Sequence, residues 1–254
     1  LHVPADGAFE DLRVRDAASL FRAGDLLVFN DTRVIPARLK GVRYRHEARV
    51  AIEVTLHKRN SANEWAAFAK PGKRLKAGDR VRFGEESETA CMLGALDASV
   101  KEKADDGLVT FAFDLAGPDL DRAIASLGEM PLPPYMKRAA EAKDSETYQN
   151  FFSQQIAEKD KVQGSVASPT AALHFTQDLY ARLRAQSVGF YPVCLDIGYG
   201  TFAPLTEQNF TTASLHAEHY FIPQATADLL QNGSGKRRIA LGTTSLRALL
   251  SFLA

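Results

Sequence analysis

The sequence predicts an α/β protein with a small antiparallel β unit, closed into a barrel, inserted into it. Three observations carry this. The runs DLLVFN (Asp25–Asn30) and RRIALG (Arg237–Gly242) are continuously apolar apart from their ends, as strands covered on both faces are, and the second leads straight into the helical TTSLRALLSF. Between them, RVAIEVTLHKR and LVTFAFDL alternate instead, setting Ile52, Val54 and Leu56, then Val109, Phe111 and Phe113, on single faces. At 254 residues, 45% hydrophobic and 24% charged, the chain is long and apolar enough for two packed units.

In chain order, residues 1–37 open an α/β main domain whose first buried strand ends at Asn30. Residues 38–116 form the inserted unit. There KPGKRLKAGDRVRFG supplies turn glycines and a further short strand, and closure into a barrel removes exposed edges. Residues 117–254 return to the main domain. Thr176 is placed to cap the amphipathic run TQDLYARLRAQ, with Leu179, Tyr180 and Leu183 on its buried face.

Composition narrows the function. Two cysteines, Cys91 and Cys194, and no apolar run approaching a membrane span predict a reduced, cytoplasmic protein. The chain opens on Leu1 with no leader-like pattern, and is read as lacking its natural start. Net charge is +0, yet from Arg38 to Arg82 there are 13 Lys or Arg against 4 Asp or Glu, a net +9. Such a window is either a solvated basic face or a surface for nucleic-acid phosphates.

The chemistry-bearing stretches lie in the main domain. GDLLVFNDTRVIPARL puts Asn30, Asp31, Thr32 and Arg33 just past a buried strand, at the carboxyl end where α/β ligand sites gather; an Asx turn with a surface Asp31–Arg33 pair is the alternative. GSVASPTAALHF, with Ser168, Pro169 and Thr170, is nearly all small residues up to His174 and Phe175. It leaves room for a ligand beside one imidazole, or forms a tight turn around a core histidine. DIGYGTFAP offers Gly198, Gly200, Thr201 and Phe202, with backbone amides a ligand can approach. LHAEHY, if extended, sets His216, Glu218 and Tyr220 on one face as an acid–base group, with His219 facing away. Its spacing is not that of a helical zinc motif, so no metal is expected. ALGTTSLR sets Gly242, Thr243 and Thr244 at a helix start suited to a carboxylate or phosphate, or to plain threonine capping, with Arg247 one turn on.

Taken in order, GDLLVFNDTRVIPARL, KPGKRLKAGD, PLPPYM, YQ, GSVASPTAALHF, GYGTFAP, LHAEHY and ALGTTSLRAL resemble the S-adenosylmethionine:tRNA ribosyltransferase-isomerase family of queuosine biosynthesis over nearly the whole chain. The resemblance implies a barrel-like α/β main domain carrying a small inserted β-barrel. It implies transfer and isomerisation of the ribosyl group of S-adenosylmethionine onto the 7-aminomethyl-7-deazaguanine wobble base of tRNA with a GUN anticodon, giving epoxyqueuosine, adenine and methionine. S-adenosylmethionine is then a co-substrate, and no true cofactor is expected. His174, Glu218 and Asp31 become the catalytic candidates. Asn30, Thr32, Arg33, Ser168, Pro169, Thr170, Gly198, Gly200, Thr201, Phe202, His216, Gly242, Thr243, Thr244 and Arg247 become candidates for substrate binding. A monomer or weak oligomer is expected, with no membrane association.

The chain departs from the family pattern at Asp196, where a histidine is usual, and at Leu215, Ala217 and Leu250, where methionine, serine and glutamate are usual. Family members also extend further at both ends. These departures point to a truncated or gapped chain, with joins near Glu158–Gln163 and after Leu249, ahead of a diverged relative. Two other readings remain: a non-catalytic RNA-binding relative, and a phosphate-handling α/β barrel enzyme that leaves the basic insertion without a purpose.

Overall fold

In the computed structural model, residues 2–5, 7–84, 94–104, 107–154, 164–198, 201, 217–232 and 235–254 are described. Ten strands alternate with helices in the order β1 (Leu26–Asn30), β2 (Arg38–Arg45), β3 (Ala48–Arg59), β4 (Glu64–Lys70), β5 (Arg80–Gly84), β6 (Ala95–Lys103), β7 (Leu108–Phe113), α1 (Gly117–Leu127), α2 (Asp144–Thr147), α3 (Gln177–Ala185), β8 (Gly189–Leu195), β9 (Tyr220–Phe221), α4 (Gln224–Asn232), β10 (Arg238–Leu241) and α5 (Gly242–Leu253) among these residues.

Strands β2 to β7 close into an antiparallel barrel in the order β2-β3-β4-β7-β6-β5. The period-two pattern of the sequence is what fills it: Ile52, Val54, Leu56, Val109, Phe111 and Phe113 all point into one core, with Phe83 against Phe111 and Phe113. Helix α1, with Pro118 in its first turn, lays Leu120, Ala123 and Ile124 on that same core, and Val166 of the small-residue segment joins it.

The remaining strands form a four-stranded sheet, β10-β1-β8-β9, in which β1 runs parallel to both β10 and β8 and the short β9 is antiparallel to β8. All five residues of β1 are buried because both faces are covered. Leu27 and Phe29 face an aromatic cluster that includes Phe152, Phe175 and Phe190, with Phe29 stacked on Phe152 at 3.9 Å. Val28 faces Leu230 of α4 and Ala248 and Leu249 of α5. At the opposite end of the sheet, Arg237 donates to both carboxylate oxygens of the buried Asp25, tying the start of β10 to the start of β1. Thr176 caps α3 as expected, accepting from Leu179 N at 3.2 Å; Leu179 and Leu183 are buried and Tyr180 is half-buried.

Part of the basic window is paired with acids, several of them from outside it. Arg45 forks onto Asp79, Arg80 onto Asp114 and Arg82 onto Asp97, while Arg59 pairs with Asp121 and Lys40 with Glu129. Lys70, Lys73, Arg74 and Lys76, around the turn after β4, are exposed and take part in no ion pair among the described residues. Among the described residues no helix is long and apolar enough to cross a membrane.

Asp144 in α2 pins the segment that follows PLPPYM. Both of its oxygens accept from Arg138, at 2.7 Å each, and one also accepts from Glu141 N at 2.8 Å. The Arg138 fork, then the Glu141 amide, hold its carboxyl down at about 2. A carboxylate depressed in the fold contributes stability above its unfolded pKa and loses it as pH falls through the folded value. Asp144→Asn is therefore expected to lower stability at neutral pH by about 1–3 kcal/mol. The gap from wild type should shrink as pH falls from about 4 to about 2. Urea unfolding of both proteins across that range measures it; a gap that stays constant with pH contradicts the assignment.

Candidate active site

Three parallel strands deliver their carboxyl ends to one edge of the sheet. There β1 ends in Asn30, β8 leads through Asp196 and Ile197 to Gly198, and β10 passes directly into Gly242, Thr243 and Thr244 of α5. Sequence-distant motifs meet here because parallel strands point the same way.

Asn30 is the pin of this edge. It is 1% exposed, its Nδ2 donates to Leu195 O at 2.9 Å, and its Oδ1 accepts from Leu195 N at 3.0 Å and from Thr32 N at 3.1 Å. Its amide thus fixes the end of β1 to the end of β8, a framework role. Thr32 is equally enclosed. Its Oγ donates to Asp196 Oδ1 at 3.2 Å and lies 2.8 Å from Ser165 Oγ, which in turn accepts from Ile197 N at 2.8 Å. With Thr32's proton directed at Asp196, Ser165 must donate to Thr32, so a one-way chain runs from the Ile197 amide through two hydroxyls to the Asp196 carboxylate. Asn150 Nδ2 completes the clasp by donating to Thr32 O at 3.1 Å.

Asp31 is buried at 8% exposure, while Arg33 beside it is exposed. Asp31 and Asp196 both act on Cys194. Burial first, then these two negative charges, push its thiol up to about 12, which leaves it neutral and a poor nucleophile.

Glu218 is the acid that the fold holds in place. Its side chain is 9% exposed; Oε1 accepts from Gly198 N at 3.1 Å and Oε2 from Arg247 Nη1 at 2.7 Å. Three candidates from three motifs thereby become one constellation. The barrel contributes to it: a Cβ at Gly198 would lie 2.5 Å from His57 Cε1, so this glycine leaves room for the His57 ring of β3.

The small-residue segment is used differently from its expected role as open space. Ser165 N donates to Arg33 O at 2.9 Å, Ile35 N to Ser165 O at 2.9 Å, and Val166 N to Ile197 O at 2.9 Å. Ser165 through Pro169 are all buried, threaded between the loops that follow β1 and β8. Small side chains are needed for backbones to pass at that distance. The segment then turns through a short 3-10 helix, Thr170–His174; Phe175 anchors in the aromatic cluster, and His174 and Thr170 are exposed. The core-histidine alternative is thus excluded. Ser168 Oγ is buried and has no hydrogen-bond partner among the described residues. Gly242 has φ +84 and abuts Ala171, a conformation that an added Cβ would strain. The N-cap of α5 is Leu241 with no side-chain cap, so threonine capping is not what Thr243 and Thr244 do; Thr243 is exposed and Thr244 half-buried. Thr201 is exposed, and Gly200, Phe202 and His216 lie outside the described residues.

Sequence reading did not single out Ser165, Asn150 or His57. The YQ motif did carry Gln149, which pairs with both backbone groups of Val34, accepting from its N at 3.0 Å and donating to its O at 2.7 Å.

All of this is consistent with one assignment. Residues 1–254 match the family described as queuosine biosynthesis protein. The chain belongs to that family. It is 55% identical over 247 residues to the S-adenosylmethionine:tRNA ribosyltransferase-isomerase of Phenylobacterium zucineum (strain HLK1), covering 96% of this chain and 67% of that protein. To the enzyme of the same name from Methylobacterium sp. (strain 4-46) it is 48% identical over 257 residues, covering 99% and 69%. A crystal structure of S-adenosylmethionine tRNA ribosyltransferase from Thermotoga maritima is 24% identical, with a TM-score of 0.34, over 94% of this chain and 59% of that one. This queuosine biosynthesis family chain thus spans about two thirds of the length of the curated relatives it matches.

If Asn30 is the pin, Asn30→Leu leaves three backbone groups at the ends of β1 and β8 without their partner. The expected loss is about 2–5 kcal/mol, read from urea unfolding. A loss below about 0.5 kcal/mol, the size typical of surface substitutions, would remove Asn30 from the framework.

Proposed function

We propose that this chain transfers and isomerises the ribosyl group of S-adenosylmethionine onto the 7-aminomethyl-7-deazaguanine wobble base of tRNA with a GUN anticodon, in the cytoplasm. The observation that carries the reading is the constellation of Glu218, Arg247 and the Gly198 amide at the strand ends. The nearby buried Asp31 and the chain-oriented Asp196 add two carboxylates, an environment suited to a sulfonium cation.

The chemistry asks for a base that removes a proton from the ribose carbon bonded to sulfur. Loss of adenine follows, then attack by the precursor's amine and ring closure with expulsion of methionine. S-adenosylmethionine is consumed as a co-substrate. Glu218, held by an arginine and an amide, and His174, exposed at the end of the 3-10 helix, are the acid–base pair of this proposal, and Asp31 faces the sulfonium or a ribose hydroxyl. Asn30, Thr32 and Pro169 keep the binding roles the resemblance implies. Ser168, Thr170, Arg33, Gly198, Thr201, Gly242, Thr243, Thr244 and Arg247 stand as its binding groups, and Gly200, Phe202 and His216 keep the binding roles the resemblance implies. Residues 38–116 serve as an inserted RNA-facing unit through Lys70, Lys73, Arg74 and Lys76.

Glu218→Gln keeps the acceptor for Gly198 and removes the charge, and His174→Ala removes an exposed side chain. Each is expected to stay folded and to slow adenine release by roughly 10²–10⁴ in the presence of precursor-bearing tRNA. Release at the wild-type rate by both variants would take the acid–base pair out of the proposal. Wild-type chain that binds this tRNA yet never releases adenine would support the non-catalytic RNA-binding relative.

Neutralising Lys70, Lys73, Arg74 and Lys76 together should weaken tRNA binding and flatten its salt dependence by about one unit of slope per lost phosphate contact. Titrations at several salt concentrations test this. Parallel lines for the wild type and the quadruple variant would remove the turn after β4 from the RNA interface.

A further inference from the structure

Gly198 supplies the backbone donor to Glu218, yet nothing of its own fixes the direction of that donor. Glycine has no Cβ to restrict φ and ψ, so the aim of its N–H depends on what packs around it. Up to Ile197 the loop after β8 is clamped by the small-residue segment: Ile197 N donates to Ser165 Oγ at 2.8 Å, and Ile197 O accepts from Val166 N at 2.9 Å. At the next residue the neighbour is the barrel. A methyl group added to Gly198 would meet Cε1 of His57 at 2.5 Å, Nδ1 at 2.8 Å and Nε2 at 3.7 Å, its three nearest atoms. The imidazole therefore fills the space that a side chain on residue 198 would take.

The barrel strand is shaped to deliver that ring. Pairing between β3 and β4 steps from Leu56–Ala67 to Lys58–Ala66, which leaves His57 as the extra residue of a β-bulge. Such bulges re-aim a side chain and recur beside active sites. Leu56 joins the barrel core, whereas the half-buried His57 packs its ring on Phe68 of β4, with centroids 5.5 Å apart, and lines one recess with Asp196, Gly198, Glu218 and His219 of the main domain.

We propose that His57 is a positioning residue for the reaction: its ring backs Gly198 and keeps the Gly198 N–H aimed at Oε1 of Glu218. The inference rests on the acid–base role proposed for Glu218, whose other oxygen is held by Arg247. The ring acts by its shape, through Gly198, and not by proton transfer. Without it Glu218 keeps the arginine and loses its second fixed partner, so the carboxylate turns about one remaining bond. Misplacing a reacting group by an ångström costs up to about 10²-fold in rate.

The experiment compares the wild type with His57→Ala, which empties the space, and His57→Phe, which keeps a ring without a titratable nitrogen. Isotope-labelled glycine gives 17 amide signals, of which Gly198 is the one lost in Gly198→Ala. Hydrogen exchange at Gly198 is expected to be at least about tenfold faster in His57→Ala, while the amides of Gly128 and Gly189, bonded to Ile124 O and Asp25 O, stay as they are. Adenine release with precursor-bearing tRNA should show kcat lowered roughly 10–100-fold and KM for S-adenosylmethionine within about twofold. His57→Phe should match the wild type in both. The double variant Gly198→Ala/His57→Ala, whose new methyl takes the place of the ring, should turn over faster than either single variant, a recovery that a general loss of stability cannot give. An unchanged Gly198 amide in His57→Ala, a raised KM at unchanged kcat, a His57→Phe variant as slow as His57→Ala, or a double variant no faster than the singles overturns the proposal. Amide exchange also separates it from the reaction: a Gly198 amide that responds as expected in a protein that releases no adenine keeps the clamp and sinks the reaction, and normal release with an unresponsive amide does the reverse.

Discussion

One side-chain amide holds the candidate site together. Asn30 joins the last residue of β1 to the last residue of β8 through both backbone groups of Leu195, and its third bond turns the chain at Thr32. Everything at the strand ends is placed relative to that clasp. Thr32 is positioned to meet Ser165 and Asp196, Ser165 holds the small-residue segment against Ile197, and the loop after β8 carries Gly198 to Glu218. Buried polar networks of this kind are costly when incomplete and rigid when complete. Here every member named has a partner, which suits a site that must keep several charges in register.

A second consequence is electrostatic. Asp31 and Asp196 are negative groups near one another and near Cys194, whose thiol they and burial keep protonated. Glu218 is compensated by Arg247, and Asp31 and Asp196 add two further carboxylates at the same edge. The barrel reaches the same place from the other side through His57, Arg59 and Trp65, which explains why an inserted β unit adjoins the chemistry while its lysine-rich turn after β4 faces solvent.

The fold was legible where one physical signal dominates. The alternation of Ile52, Val54 and Leu56 against Val109, Phe111 and Phe113 is the barrel's interior, and DLLVFN is buried on both faces because helices cover one side and aromatics the other. The site was legible as a list of motifs, less so as roles. Asn30 and Thr32 look like ligand groups in sequence; in the fold their side chains also bond groups more than a hundred residues away, Asn30 the backbone of Leu195 and Thr32 the side chains of Ser165 and Asp196, and no local pattern encodes such partners. The small residues of GSVASPTAALHF signalled close approach correctly. The thing approached is backbone on either side, Arg33 and Ile197, and His174 stands outside the crowded stretch because Phe175 takes the buried position. The charge of the basic window was legible as a sum but not as pairs: Asp97, Asp114, Asp121 and Glu129, outside its own span, pair with Arg82, Arg80, Arg59 and Lys40.

The most direct measurement is a crystal structure with S-adenosylhomocysteine, which keeps the adenosyl and amino-acid parts without the reactive sulfonium. The ligand is expected across the carboxyl ends of β1, β8 and β10, with its sulfur near Asp31 and Asp196 and its ribose within reach of Glu218. A ligand bound elsewhere, with the Glu218–Arg247 pair untouched, would contradict it.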